Sequence, residues 1–127
     1  MTEVISIISI FCGKILLVKK GDFWILPGGK IREKESHEKC ILRELSQELP
    51  GSTLIGDLRY FGKFSGISPI SRKPITVKCY LGNIRGDISP AMEISDATWT
   101  IKESVFSYNL SEITKNIIKK LSARKIL

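Results

Sequence analysis

The first third of the chain consists of short apolar runs rich in β-branched residues, and glycine-containing pairs separate these runs. Residues 4–12 and 15–19 form two such runs, and the Gly-Lys pair at 13–14 predicts a tight hairpin turn between them. The Gly-Asp pair at 21–22 predicts a second turn, after which residues 23–26 are again apolar. This pattern predicts three β-strands at the start of the chain.

Two later segments repeat apolar residues every third or fourth position, which is the period of an amphipathic helix. The first predicted helix runs from about Ser36, a favourable N-cap residue, to Leu49. The second runs from about Leu110 to Ala123. The residues expected to face a sheet are Ile41, Leu42, Leu45 and Leu49 in the first helix and Ile113, Ile117, Ile118 and Leu121 in the second.

Further strands are predicted between and after these segments. Residues 53–65 indicate a long strand with a kink at Gly56 or Gly62, and residues 75–82 alternate apolar and polar side chains. A short strand is expected at 97–101. Loops are expected at residues 66–74 and over most of residues 83–96. This order predicts an α+β fold, an α/β/α sandwich with a mixed β-sheet between two helices.

The composition is typical of a soluble globular protein, and we expect residues 1–127 to form one domain. Apolar residues make up 43% of the chain and charged residues 26%. No apolar run is long enough to cross a bilayer, and the apolar N-terminus lacks a basic region and a small-residue cleavage site. We therefore expect a cytoplasmic protein with no membrane partner, whose oligomeric state the sequence leaves open.

Cysteine and histidine usage argues against disulfides and zinc. Cys12, Cys40 and Cys79 lie far apart in apolar surroundings, so we expect buried, reduced thiols. The only histidine, His37, lies beside the predicted N-cap, and no Cys/His spacing indicates a zinc site. His37 is expected to be solvated and is assigned no role.

The chain carries 20 Lys and Arg against 13 Asp and Glu, a net charge of +7. Such a surplus favours anionic partners such as nucleotides. Much of it lies in the last predicted helix, far in sequence from the acidic residues described next. These cations are Lys115, Lys119, Lys120, Arg124 and Lys125. The charge therefore supports a small nucleotide substrate only weakly and leaves nucleic-acid binding open.

Glu44, Gln47 and Glu48 lie at positions i, i+3 and i+4 of the first predicted helix, so their side chains share one side of it. Glu44 and Glu48 repel each other, and no cation lies three or four residues away to offset this. Oxygen-bearing side chains beside the glycine pair Gly28-Gly29 suit Mg²⁺, which prefers oxygen ligands. A solvated helix face is the alternative interpretation.

The spacing of these residues resembles the Nudix hydrolase box. That box has Gly, five residues, Glu, seven residues, Arg-Glu, an apolar residue, any residue, Glu-Glu, any residue, Gly and an apolar residue. In this chain Gly29, Glu35, Arg43-Glu44-Leu45 and Glu48 match six of the nine specified positions. The resemblance extends over most of the chain, since its length and order of elements also fit.

Two positions depart from the box. Gln47 replaces the first of the paired glutamates, and its neutral amide oxygen would bind Mg²⁺ more weakly than a carboxylate. Pro50-Gly51 replaces the closing glycine and apolar residue. Proline cannot continue the helix and Gly51 can end it, so this second departure only shifts the helix end.

The resemblance implies roles for the box residues. The metal ligands that it implies are Glu44, Gln47, Glu48 and the backbone carbonyl of Gly28. Arg43 would orient the glutamates, and Glu35 would orient the loop and Arg43 rather than contact the metal. The implied metal is Mg²⁺, with Mn²⁺ as a possible substitute.

Four residues outside the box are further candidates. Glu93 lies six residues before Trp99, where MutT-type members have an acidic residue with a metal or base role; an exposed loop glutamate is the alternative. Lys20 ends the second strand, where members often place a nucleotide-binding cation. Trp24 could stack on a base or face the core. Asn109 could contact a base edge or cap the last helix.

The resemblance implies a Mg²⁺-dependent pyrophosphohydrolase acting on a nucleoside di- or triphosphate or a derivative. A carboxylate of Glu44, Glu48 or Glu93 would orient or deprotonate the attacking water. Two alternatives stay open. One is a non-catalytic nucleotide-binding or regulatory module, which Gln47 favours. The other is an RNA 5′-end pyrophosphohydrolase or RNA-binding protein, which the positive charge favours.

Overall fold

Eight strands and three helices follow one another in the computed structural model, which describes residues 1–127. The strands are β1 (Thr2–Ile8), β2 (Ile10–Phe11), β3 (Lys14–Lys20), β4 (Phe23–Ile25), β5 (Gly28–Lys30), β6 (Ser52–Ile67), β7 (Pro74–Gly86) and β8 (Ile94–Ile101). The helices are α1 (His37–Glu48), α2 (Lys102–Val105) and α3 (Glu112–Ala123). The Ser36 hydroxyl caps α1 by accepting a hydrogen bond from the Lys39 N–H.

The strands form two four-stranded sheets. In the first sheet the order is β5-β1-β7-β6, with β1 parallel to β7 and the other pairs antiparallel. In the second sheet β3 pairs antiparallel with β2, β4 and β8. The predicted α+β sandwich with a mixed sheet between two helices is confirmed, although the strands divide between two sheets rather than one.

Two apolar clusters occupy opposite faces of the sheets. On one face α3 packs on the strands through the predicted residues Ile113, Ile117, Ile118 and Leu121. On the other face α1 packs through Cys40, Ile41, Leu45 and Leu49. Because successive strand residues point to opposite faces, Leu17 joins the α3 cluster and Val18 the α1 cluster. Both helices are therefore fixed by burial of one apolar face.

Several sequence predictions are corrected at the level of single elements. β7 continues to Gly86 and β8 begins at Ile94, so the loop predicted at 83–96 is shorter at both ends. Leu42 was expected in the α1 stripe but is 46% exposed, and Cys40 takes a buried position instead. Cys12 is exposed, because it lies in the turn before β3 with a φ of 52°. The predicted kink in β6 is present, as register shifts after Ile55 and after Tyr60.

The connection between β7 and β8 passes the C-terminal end of α1. The Asp87 N–H donates to the Gly51 carbonyl at 3.2 Å, and the Ala91 N–H donates to the Glu48 carbonyl at 2.9 Å. These bonds bring the segment that carries Glu93 next to the helix that carries Glu44 and Glu48. None of the helices has both the length and the apolar character required to span a membrane.

Candidate active site

The glycine pair passes between strand β1 and helix α1 with no room for a side chain. Gly28 has a φ of +146°, and a Cβ there would overlap the Ile5 carbonyl oxygen. A Cβ on Gly29 would overlap the carboxylate of Glu44. The main chain at this turn therefore lies directly against a carboxylate from α1, an approach that glycine alone permits.

Glu48 is buried next to the same turn, with 5% of the residue exposed. Its Oε1 accepts a hydrogen bond from the Gly28 N–H at 3.1 Å. The pKa of Glu48 is raised from 4.5 to about 8, mainly by burial and to a smaller extent by the nearby Glu44 and Glu93 charges. The Gly28 N–H and the Lys20 charge act in the opposite direction but do not compensate. Glu48 is thus a buried carboxyl group without a close cation.

Arg43 connects the loop before α1 to the acidic side of the helix. Its Nε and Nη2 donate to both oxygens of Glu35, at 2.7 and 3.0 Å. Its Nη1 donates to Glu44 Oε1 at 2.8 Å, and its Nη2 also donates to the Lys30 carbonyl at 3.0 Å. The guanidinium lowers the pKa of Glu35 to about 2 and so keeps it ionised. Sequence spacing gave Glu44 no cation at i±3 or i±4, whereas its immediate neighbour Arg43 supplies one.

An open cleft of about 560 Å³ lies over these residues. Its polar lining includes Lys20, Lys30, Arg43, Glu44, Gln47 and Glu93. Lys20 Nζ lies 3.2 Å from Glu93 Oε2, and 75% of the Glu93 side chain is exposed. The cleft therefore brings both candidate residues from outside the box to the same surface as Glu44 and Gln47, with Glu48 buried close by.

A second cavity, of about 240 Å³, adjoins the cleft and lies between the first sheet, α3 and the loop after β6. It shares Lys20, Gly29 and Lys30 with the cleft. Its walls combine apolar side chains with hydroxyls. The hydroxyl residues are Thr2, Ser6, Ser68, Ser71, Ser111 and Thr114. No acidic side chain lines it, which suits an uncharged part of a ligand whose anionic part occupies the cleft.

The model of the NUDIX domain family matches residues 2–121. The chain belongs to the Nudix family. The resemblance of its box is therefore confirmed, and membership accounts for the glycine turn and the acidic helix described above. A search of curated proteins finds no significant match.

Solved Nudix structures share the fold of the chain. A MutT NUDIX hydrolase from Burkholderia pseudomallei has a TM-score of 0.82 at 20% identity, covering 94% of this chain and 97% of that one. The E. coli ORF135 protein gives 0.79 at 24% identity, covering 98% and 91%. The NUDIX domain of Shewanella oneidensis NrtR, solved with ADP ribose, gives 0.73 at 21% identity, covering 96% and 86%.

Nudix hydrolases generally use divalent cations, and the donors at the glycine turn are chemically suited to one. The carboxylates of Glu44 and Glu48 approach the same two glycines, and both they and the Gln47 amide offer the hard oxygens that Mg²⁺ prefers. No group of three Asp, Glu, His or Cys side chains is assembled tightly enough to hold a metal by itself.

Trp24 and Asn109, which were predicted to contact the substrate, line neither the cleft nor the cavity of about 240 Å³. Trp24 packs edge-on against Tyr108, with ring centroids 5.0 Å apart, and contacts the α3 cluster. The Asn109 side chain donates to the Asp22 carbonyl at 2.8 Å, and Ser111, not Asn109, caps α3. Sequence reasoning also missed the 240 Å³ cavity. The one sequence feature that could have indicated it is the loop after β6, which is rich in serine and proline. In the structure this loop lies across the cavity from α3.

Proposed function

We propose that this chain hydrolyses a pyrophosphate bond in a nucleoside di- or triphosphate or a related derivative, with Mg²⁺ as the preferred metal and Mn²⁺ as a substitute. The observation that carries the proposal is the glycine turn. Gly28 and Gly29 press against the carboxyl groups of Glu48 and Glu44. This arrangement gathers negative charge at one point of the backbone, at an energetic cost that a bound dication would offset.

The metal would be held by the side chains of α1 and the neighbouring turn. We assign Glu44 and Glu48 as charged ligands, Gln47 as a neutral ligand, the Gly28 carbonyl as a backbone ligand and Glu93 as a ligand from the β7–β8 segment. When bound, the metal supplies charge neutralisation for the phosphate oxygens as the anhydride bond breaks. Arg43 positions Glu44 by a direct hydrogen bond, and Glu35 positions Arg43.

The substrate would lie across the boundary between cleft and cavity. Lys20 and Lys30 line both, and Lys20 is also paired with Glu93. We propose that its ammonium contacts a phosphate, while the nucleoside enters the cavity of about 240 Å³. Neither Trp24 nor Asn109 lines this cavity, so we assign base contacts to its hydroxyl-bearing walls instead.

The attacking water requires a base close to the metal ligands. Glu48 and Glu44 are held by backbone and guanidinium contacts, whereas Glu93 lies on the exposed side of the cleft. Glu93 is the most exposed of the three, and a carboxylate that reaches the metal through one water can accept a proton from that water, which favours Glu93. Its ion pair with Lys20 would open when phosphate replaces Glu93 as the partner of that lysine.

The test is phosphate and pyrophosphate release across a panel of nucleoside di- and triphosphates, with Mg²⁺, with Mn²⁺ and with EDTA. We expect turnover of at least one nucleotide with metal and none with EDTA. Glu44→Gln should abolish this turnover, and Glu112→Gln, an exposed change on α3, is the matched control. No turnover of any nucleotide with either metal would contradict the proposal.

A nucleotide-binding module without catalysis is the second candidate, and Gln47 favours it. The NrtR Nudix domain, which was crystallised in complex with ADP ribose, illustrates that ligand class. Calorimetric titration of ADP ribose and nucleoside triphosphates separates the two proposals. Binding without product release, in the presence of Mg²⁺, would support the module and exclude the hydrolase.

A further inference from the structure

Two tyrosines and two lysines form a small exposed face on the first sheet, on the side that α1 covers. We name it the tyrosine–lysine face; its residues are Tyr60 and Lys63 of β6 and Tyr80 and Lys78 of β7. Tyr60 lies directly opposite Tyr80 in the strand register, and Lys63 lies directly opposite Lys78. The register shift after Tyr60 keeps both β6 residues on the same side of the sheet.

The two tyrosines have different environments. Tyr80 is half-buried, and its hydroxyl is hydrogen-bonded to His37 Nδ1 at the start of α1. Tyr60 is 55% exposed and contacts Tyr80 edge-on, with ring centroids 5.4 Å apart at 69°. The fixed Tyr80 therefore supports Tyr60, which leaves an aromatic ring open to solvent on a rigid strand. The half-buried His37 was expected to be solvated, and it helps hold this arrangement.

The two lysines form an unfavourable pair in the free protein. Like charges directly opposite each other on neighbouring strands are destabilising. Glu3 Oε1 lies 3.2 Å from Lys78 Nζ, but the same oxygen also lies 3.3 Å from His37 Nε2. Lys63 is exposed and has no ion-pair partner. One anionic group placed between Lys63 and Lys78 would remove this repulsion.

Three of the cations on and after α3 have partners within the chain. On α3, Lys115 pairs with Glu112 at 3.0 Å, and the Lys120 ammonium lies 5.4 Å from the Phe61 ring centre. Arg124, at the end of α3, lies over the same ring at 5.3 Å and is favoured there by the helix dipole. Lys115, Lys120 and Arg124 thus contribute to packing and helix stability, whereas Lys63 has no such partner and lies opposite another lysine.

We propose that the tyrosine–lysine face binds single-stranded RNA. A base would stack on the open ring of Tyr60, and a backbone phosphate would lie between Lys63 and Lys78. Ser65, which is exposed and lies opposite Thr76, is further along the same face, and its hydroxyl suits a ribose 2′-hydroxyl. Exposed aromatic side chains on a sheet, next to lysines, are the usual means of binding unpaired bases. A duplex would not expose its bases to Tyr60.

This surface is separate from the proposed hydrolytic site, because none of its four residues lines the cleft or the cavity. The proposal therefore stands whether or not the chain hydrolyses nucleotides. It also differs from hydrolysis of an RNA 5′ end, since it needs no 5′ phosphate and no metal.

The test uses fluorescence anisotropy with a 3′-labelled single-stranded RNA of about 12 nucleotides, within the site sizes of single-strand binders. The RNA carries a 5′-hydroxyl and the buffer contains EDTA, so that the proposed metal site is not engaged. Tyr60→Ala should weaken binding about 5- to 150-fold, the fold-change that corresponds to one lost stacking contact. Tyr60→Phe should bind as the wild type does, which shows that the ring and not the hydroxyl matters.

Salt dependence tests the lysines. Lys63→Gln should reduce the slope of log affinity against log salt by about 0.7, the value for one single-strand phosphate contact. Lys119→Gln, an exposed change on α3, is the matched control and should leave the slope unchanged. The same RNA as DNA, the RNA in a duplex, and a poly-glutamate peptide should each bind more weakly than single-stranded RNA.

Several results would overturn the proposal. The first is no measurable binding of the RNA, and the second is binding by Tyr60→Ala that is as tight as that of the wild type. The third is a salt slope that Lys119→Gln reduces as much as Lys63→Gln does. The fourth is an affinity for the DNA, the duplex or the acidic peptide that equals the affinity for single-stranded RNA. Circular dichroism of each variant excludes unfolding, and the salt slope of the exposed Lys63→Gln keeps the test decisive if Tyr60→Ala folds poorly. Nucleotide turnover by Tyr60→Phe and Lys63→Gln should equal that of the wild type, so failure here is distinct from failure of the proposed hydrolase.

Discussion

Replacing Glu48 by glutamine should increase the stability of the metal-free protein while removing its activity. The wild-type carboxyl is buried against the Gly28 N–H, and burial raises its pKa from 4.5 to about 8. Glutamine is close in shape, and its amide oxygen can accept the same hydrogen bond. The variant therefore keeps the contact but has no group that ionises, so it lacks the loss of stability that the raised pKa of the carboxyl causes as pH rises.

The magnitude follows from the linkage between proton binding and folding. Because the pKa of Glu48 is higher in the folded state, the folded protein retains the proton and the unfolded chain releases it. The contribution of the protonated Glu48 carboxyl to the free energy of unfolding is therefore complete below about pH 4.5. It is lost as pH rises towards about 8. Between pH 5 and 7.5 Glu48 is ionised in the unfolded chain but not in the folded protein. This difference lowers the free energy of unfolding by about 1.4 kcal/mol per pH unit, or about 3 kcal/mol over the range.

The assay is urea denaturation followed by circular dichroism, in EDTA, at several pH values from 5 to 7.5. Glu48→Gln should be close to the wild type at pH 5 and about 3 kcal/mol more stable at pH 7.5. Every other titratable group is present in both proteins, so the difference in stability isolates residue 48. Glu38→Gln removes an exposed charge from the same helix and is the control for charge alone. At pH 7.5, Mg²⁺ should stabilise the wild type but much less the variant.

A stability difference between wild type and Glu48→Gln that does not change with pH would refute this reasoning. A variant that is less stable at every pH would do the same, because it would mean that the carboxylate is stabilised by contacts that glutamine cannot replace. Full hydrolytic turnover by the variant would remove Glu48 from the proposed metal site.

Three further predictions concern the same site. Gly29→Ala should displace the Glu44 carboxylate and lower turnover by about 10²-fold, the cost of a misplacement near 1 Å, with little change in melting temperature; unchanged turnover would mean that Glu44 need not approach the turn. Gln47→Glu should tighten Mg²⁺ binding in a calorimetric titration by adding a charged oxygen, and unchanged affinity would show that position 47 points away from the metal. In a crystal structure with metal and nucleotide bound, Glu93 should leave Lys20 and lie within direct or one-water reach of the metal; a Glu93 that still faces solvent would contradict its assignment.

The helices and their packed faces were predictable because burial imposes a period on the sequence. The four apolar residues predicted for α3 are all buried, and the serine cap of α1 was predicted at Ser36. The prediction that Leu42 faces the sheet was wrong, because Leu42 lies at the edge of the apolar stripe of α1. At that edge a small rotation of the helix decides whether a side chain is buried or exposed. Cys40, which no hydrophobic count favoured strongly, fills that side of the core instead.

Contacts between distant segments were less predictable, since sequence spacing carries no distance between segments. The resemblance to the Nudix box predicted the orienting roles of Arg43 and Glu35. It did not predict the two hydrogen bonds by which Arg43 contacts both oxygens of Glu35. The ion pair of Lys20 with Glu93, and the cavity beside α3, depend on how the β7–β8 segment and the loop after β6 fold back. Trp24 and Asn109 had suitable chemistry, yet packing and a backbone carbonyl already engage them.

Residue 48 also joins three parts of the chain that are far apart in sequence. Its side chain accepts from Gly28 and its carbonyl accepts from Ala91, so the first glycine of the turn, the end of α1 and the β7–β8 segment share one amino acid. Insertions between Gly86 and Ala91 can lengthen that segment without moving this junction, whereas insertions between Ala91 and Ile94 would shift Glu93 relative to the helix. During evolution, the part of the segment before Ala91 can therefore vary in length, whereas the part between Ala91 and Ile94 must keep its length.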